Sequence, residues 1–123
     1  MANIYDYPGS LRRMGDDREL FQEMVGLLRS DVPRWLSVVS AAQRESDSGR
    51  LERAAHTLKG LASNFGATRA VAAAAEVEVL ARSQQTAGLP LALNELEEAL
   101  DELLSALAPP QETAPPQETI AAR

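Results

Sequence analysis

His56 is the one histidine of the 123-residue chain and Lys59 its one lysine, and they stand three positions apart. The other eleven cations are all arginine. Imidazole is a nucleophile that is largely uncharged near neutral pH. An ammonium one helical turn away can sit beside an anion attached to the ring, and lysine does this as a compact point charge where arginine offers a broad planar fork. Gly60 follows directly. A glycine inside a helix costs about 1 kcal/mol against alanine, and it removes a side chain from any path by which another molecule approaches.

These residues must be placed by a helix. Asp47 is an N-cap and apolar residues follow at helical spacing to about Phe65, with Gly66 where a left-handed terminator is wanted. On a wheel of about 100° per residue, Ala55, Leu58, Ala62 and Phe65 fall within about 40° of Leu51 and form a buried stripe. His56 lies about 140° from Leu51 and faces solvent, with Gly60 and Ser63 within about 40° of it and Lys59 within about 60°. Glu52 and Arg53 flank it one turn earlier, and Asn64 lies near the helix end. Taken singly, an exposed histidine or lysine is an ordinary surface residue. Their conjunction on one outer face suits exchange of a small group with a docking partner about as well as it suits an ordinary solvated surface.

The remaining chain supplies the other helices. Apolar residues recur at helical spacing from Phe21 to Ala42, after Asp16 or Asp17 as a cap. Pro33 interrupts this stretch, but the phase is unbroken across it, which favours one kinked helix. Thr68 is expected to cap a third helix ending near Gln84, and a fourth covers about Leu91 to Leu107 after the turn Ala87–Pro90. Leu11 and Met14 suggest a short lead-in turn. The expected fold is all-α, an antiparallel up-down four-helix bundle with a short N-terminal helix or turn. It would occupy 1–107, and 108–123, where APPQET occurs twice, reads as a disordered proline-rich tail.

Composition narrows the function classes. Apolar residues make up 45%, charged residues 24% and aromatics 4%, ordinary for one soluble domain rich in helix formers. The absence of cysteine removes disulfides and thiolate chemistry, and with a single histidine a zinc site is not expected; no metal ligands are assigned. A net charge of −6 argues against nucleic acid or an anionic membrane as partner. No segment reads as a signal peptide or a membrane span, so the expected location is the cytoplasm. A hydrolase or redox enzyme needs a pocket with nucleophile, base and oxyanion donors, which one histidine on an outer face does not provide.

The segment Ala54-Ala55-His56-Thr57-Leu58-Lys59-Gly60-Leu61-Ala62-Ser63-Asn64-Phe65-Gly66 resembles the signature of the histidine-containing phosphotransfer domain: His, any residue, Leu-Lys-Gly, a small apolar stretch and Gly. Every fixed position is filled; Leu61 stands where small residues are also common, a minor departure. Leu11 to Phe21, Asp31-Val32-Pro33 and Val77 to Arg82 resemble other parts of the family, so the likeness spans roughly 4–107.

The resemblance implies that His56 is the phosphoacceptor, on Nε2, taking the group from the aspartyl phosphate of a response-regulator receiver domain and passing it to another receiver. Lys59 would support the phosphoryl group electrostatically, and Gly60 would admit the receiver, with Ser63, Arg53, Glu52 and Asn64 as further contacts on the His-bearing helix and its neighbour ending near Ser46. The protein would be a phosphocarrier and not an enzyme. It would bind no cofactor itself, because the receiver holds the Mg²⁺ and most catalytic groups. A hybrid sensor histidine kinase would stand upstream, and the protein would act as a monomer. The starting Met and the separate tail fit a free-standing shuttle; a piece of a larger kinase is the other reading. Two rival functions share the same face. One is a kinase dimerisation helix, where Asp or Glu normally follows the histidine; here Thr57 follows. The other is an adaptor that binds a receiver or kinase without phosphorylation.

Overall fold

A computed structural model describes residues 3–107; the proline-rich tail expected over 108–123 lies outside the described residues. Five helices follow one another: α1 (Tyr7–Arg13), α2 (Arg18–Arg44), α3 (Ser48–Ser63), α4 (Thr68–Arg82) and α5 (Leu89–Ala106). No strand occurs among the described residues. Helices α2 to α5 form the up-down bundle, each packed on its sequence neighbour, and α1 is the lead-in.

The caps show why the helices start where they do. Asp17 accepts a hydrogen bond from Leu20 N at 3.0 Å and Asp47 from Arg50 N at 3.1 Å, each satisfying a donor that the first turn leaves free. The expected cap at Thr68 is corrected: Ala67 is the N-cap, without a side-chain bond, and Thr68 is already helical. The fourth bundle helix begins at Leu89 and not Leu91, because Pro90 fits the first turn, where its missing N–H costs nothing. Helix α2 runs unbroken through Pro33. Pro33 is exposed, so the Arg29 carbonyl that loses its helical donor can turn to water.

Small residues set the tightest contact. Ala54, Ala55 and Ala62 of α3 and Ala70, Ala73 and Ala74 of α4 are all buried, and α3 packs on α4 more extensively than any other pair of helices does. Short side chains at a helix crossing let the axes approach, which brings long polar side chains at the rim of α4 within reach of α3. Larger residues fill the centre: Leu28, Val32, Leu58, Phe65, Val77, Leu96, Leu100 and Leu103.

The lead-in fastens the end of the His-bearing helix. Asp6 N donates to Phe65 O at 2.8 Å, and the Arg13 guanidinium donates to Asn64 O at 3.1 Å. The rings of Tyr7, Phe21 and Phe65 meet edge to face at centroid distances of 5.0 and 5.7 Å. Gly66 takes φ +61°, and a Cβ there would lie 2.7 Å from Asp6 Cβ. Both the backbone conformation and the close approach of the lead-in therefore call for glycine.

Candidate functional site

His56 projects from the middle of α3 with 67% of its side chain exposed, as the helical wheel predicts. The ring is nonetheless not free to turn. Its Nδ1 lies 2.9 Å from Oε2 of Glu78, a residue of α4. Glu78 is buried, with 8% of its side chain exposed, inside an otherwise apolar stripe formed by Ala70, Ala74, Val77 and Ala81.

A buried carboxylate must be compensated, and Glu78 is met from three sides. Lys59 Nζ lies 2.7 Å from Oε1 and an Arg82 terminal nitrogen 3.3 Å from Oε2, where His56 also sits. The Lys59 hydrogen bond is the largest influence and holds the Glu78 carboxyl below the usual carboxylate range; burial opposes this, and His56 adds to the lowering. Glu78 is thus ionised at neutral pH and can only accept. Nδ1 of His56 must donate to it, which in the neutral ring leaves the lone pair on Nε2. Among the described residues Nε2 has no hydrogen-bond partner. The site presents one imidazole nitrogen as a fixed, solvent-facing nucleophile.

The other sequence-predicted residues fall around it. Lys59 is half-buried and tied to Glu78 in place of standing free beside the ring. Gly60 is exposed, and a Cβ built on it meets nothing within 4 Å, so no internal packing requires glycine there. Arg53, Ser63 and Asn64 are exposed. Asn64 is the C-cap of α3, with its carbonyl held by Arg13. Glu52 is engaged: its Oε2 accepts from Arg82 Nε at 2.9 Å. Beside the ring lies a shallow depression lined by Gly49, Glu52, Arg53, His56, Thr57 and Glu78.

A family model described as the Hpt domain matches residues 23–106. The chain belongs to the Hpt domain family. Its fold agrees with a solved structure, that of histidine-containing phosphotransfer protein B (HptB) from Pseudomonas aeruginosa PAO1, at a TM-score of 0.79 and 21% identity, covering 86% of this chain and 92% of that one. No curated protein matches the chain.

As an Hpt domain the chain is a histidine phosphotransfer module, a carrier in type, and His56 is its sole histidine. No helix among the described residues is long and apolar enough to cross a membrane. Among those residues no group of three or more His, Asp or Glu side chains could hold a metal ion. Two residues of this cluster, Glu78 and Arg82, are not singled out by the sequence, although the segment Val77 to Arg82 resembles part of the family. The available signal was Glu78 itself, a lone charge about 40° from Ala74 on the buried stripe of an alanine-rich helix.

Proposed function

We propose that His56 accepts a phosphoryl group from the aspartyl phosphate of a receiver domain and passes it to the aspartate of another. The observation that carries this is the pairing of His56 Nδ1 with the buried Glu78 carboxylate at 2.9 Å, which leaves Nε2 as the attacking atom. The Nε2 lone pair bonds to phosphorus, the P–O bond to the receiver's aspartate breaks, and that aspartate leaves as a carboxylate. Nδ1 keeps its proton, and the positive charge gained by the ring faces Glu78. The reverse steps discharge it to a second receiver. Lys59, one turn from His56, turns its ammonium to the phosphoryl oxygens. The receiver brings Mg²⁺ and the remaining catalytic groups, so this chain works as a carrier.

The docking face in this reading combines the outer side of α3 with α2. Gly60 leaves open space beside the ring, and Arg53, Ser63 and Asn64 continue the face. On a wheel, Leu20 and Leu27 of α2 lie about 160–180° from Arg29 and Leu36. Arg29 donates to Leu104 O of α5, and Leu36 lines a groove with Leu93 of α5. Leu20 and Leu27 therefore fall on the flank of α2 toward α3, and both are exposed, Leu27 by 56%. Exposed leucines on the helix next to the His-bearing one suit a protein partner better than a small substrate. A cytoplasmic monomer, charged by a hybrid sensor histidine kinase through its receiver, fits this arrangement.

The test mixes the protein with phosphorylated receivers from the same organism and follows label, with His56→Gln as control. Transfer that requires His56 and gives an acid-labile, alkali-stable adduct supports the relay. Receivers that bind without transferring would replace it with the adaptor function.

A further inference from the structure

Glu52, Arg82, Glu78 and His56 form a closed chain of polar contacts that leaves α3, runs along α4 and returns to α3. Arg82 Nε donates to Glu52 Oε2 at 2.9 Å, and another nitrogen of the same guanidinium lies 3.3 Å from Glu78 Oε2. That oxygen is the one facing His56 Nδ1 at 2.9 Å. Glu52 stands one helical turn before His56, so both ends of the chain rest on the same face of α3. Lys59 holds the other oxygen of Glu78, Oε1, at 2.7 Å. The two cations thus grip different oxygens of one buried carboxylate.

We infer that Glu52 and Arg82 are positioning residues: Glu52 anchors Arg82, and Arg82 holds Glu78 Oε2 against His56 Nδ1 while Lys59 leaves Oε1 for the phosphoryl group. This rests on the phosphotransfer reading for its purpose, though not for its geometry. When Lys59 turns away, a buried carboxylate loses its strongest partner, and leaving it unpaired is costly. Arg82 cannot follow Lys59, because its planar fork is already bound to two carboxylates and a fork suits that bidentate role. One cation moves and one stays. Glu52 accordingly acts through Arg82, and its carboxylate is not free for a partner's cation.

The single histidine makes the test direct, because one imidazole gives one set of ring ¹⁵N signals. In the intact unphosphorylated protein, the ratio of Nδ1–H to Nε2–H tautomers of neutral His56 is measured for wild type, Arg82→Gln, Arg82→Lys, Glu52→Gln and the double variant Glu52→Gln/Arg82→Gln. Arg82→Gln is expected to lower the ratio roughly twofold to fivefold, the range that a partly exposed ion pair supports. Glu52→Gln should shift it in the same direction, the double variant should be no worse than Arg82→Gln, and Arg82→Lys should recover part of the loss. Helix content and melting temperature check that each variant is folded. A ratio unmoved in Arg82→Gln overturns the proposal, and an effect of Arg82→Gln with none from Glu52→Gln overturns the anchoring role. The same proteins are then loaded with phosphoramidate, a small donor that needs no receiver. Faster loss of label from Glu52→Gln and Arg82→Gln than from wild type supports the brace in the charged state, and equal loss overturns it there. Failure of wild type to exchange label with any receiver would count against the relay alone, because the tautomer ratio is read without phosphate.

Discussion

Glu78 Oε2 lies 2.9 Å from His56 Nδ1, so a carboxylate buried on α4 sets the orientation and proton position of an imidazole exposed on α3. The arrangement separates two requirements that conflict on a mobile side chain. In the proposed relay the nucleophile must be reachable by another protein, and it must also be held in one orientation. Exposure is supplied by the outer face of α3, and orientation by a neighbour under the ring.

Removing that neighbour is expected to slow transfer more than it disturbs folding. Glu78→Ala takes away the acceptor at Nδ1 and frees the ring, and a hydrogen bond to a charged group is worth about 1.5–3 kcal/mol, or roughly tenfold to a hundredfold in rate. Glu78→Gln retains an acceptor oxygen for Nδ1–H but loses the charge that faces the phosphorylated ring, so its loss should be smaller. Rapid-quench transfer from a phosphorylated receiver orders the three proteins as wild type, Gln variant, Ala variant. An Ala variant as fast as wild type would remove Glu78 from the mechanism.

Glu78 also predicts how stability responds to acid. Its carboxyl is held below the ordinary range, first by the Lys59 hydrogen bond and then, against the opposing effect of burial, by His56. A folded value below the unfolded one means that the unfolded chain binds the proton first. The stabilisation is complete above the ordinary glutamate range and drains away as the pH falls through the depressed folded value. Urea titrations from neutral pH to about pH 3 should therefore show wild type exceeding Glu78→Gln by a margin that shrinks at the acid end. A margin that stays constant throughout would mean that Glu78 carries no such proton linkage.

The elements that a short window of sequence controls were legible before the fold. Asp17, Asp47 and Gly66 each act within a turn of themselves, and each caps or terminates a helix as its type dictates. His56 could be placed on the outer face because the stripe from Leu51 to Phe65 has an unambiguous phase. Thr68 and Pro90 misled by one or two positions, since a threonine next to a helix start and a proline inside its first turn look alike from sequence. Glu78 was out of reach for a different reason. It lies 22 residues from His56, and their meeting depends on how far α4 slides along α3, which the alanine packing of the two helices fixes. Outside that pairing, the Arg69 guanidinium on the same helix reaches Glu95 and Glu102 of α5 at 2.7 and 3.1 Å. Helix α4 is thereby tied to α5 near its start and to α3 near its end.

Gly60 separates docking from folding. Both Gly60 and Gly26 are exposed within helices, and a Cβ on either meets nothing within 4 Å. Alanine at each should therefore stabilise the fold by up to about 1 kcal/mol through helix propensity alone. Only Gly60→Ala places a methyl group beside His56, so only that variant should lose receiver affinity and transfer rate. Equal transfer by both variants would show that the partner does not approach across Gly60.

Lys59→Arg keeps the charge and changes its shape. The ammonium touches one oxygen of Glu78 at 2.7 Å from the end of a flexible stem, and in the relay it must release that oxygen for a phosphoryl group. A guanidinium is a planar fork that grips a carboxylate with two parallel bonds, so arginine should hold Glu78 more firmly and give it up less readily. Stability is expected to change little, because either cation still pairs with the buried carboxylate. Transfer should slow by roughly tenfold, equivalent to about 1.4 kcal/mol of barrier. Denaturation and single-turnover transfer measured on the same preparation decide between the two effects: a slower protein of unchanged stability supports a mobile lysine, and equal rates would show that any cation at 59 serves.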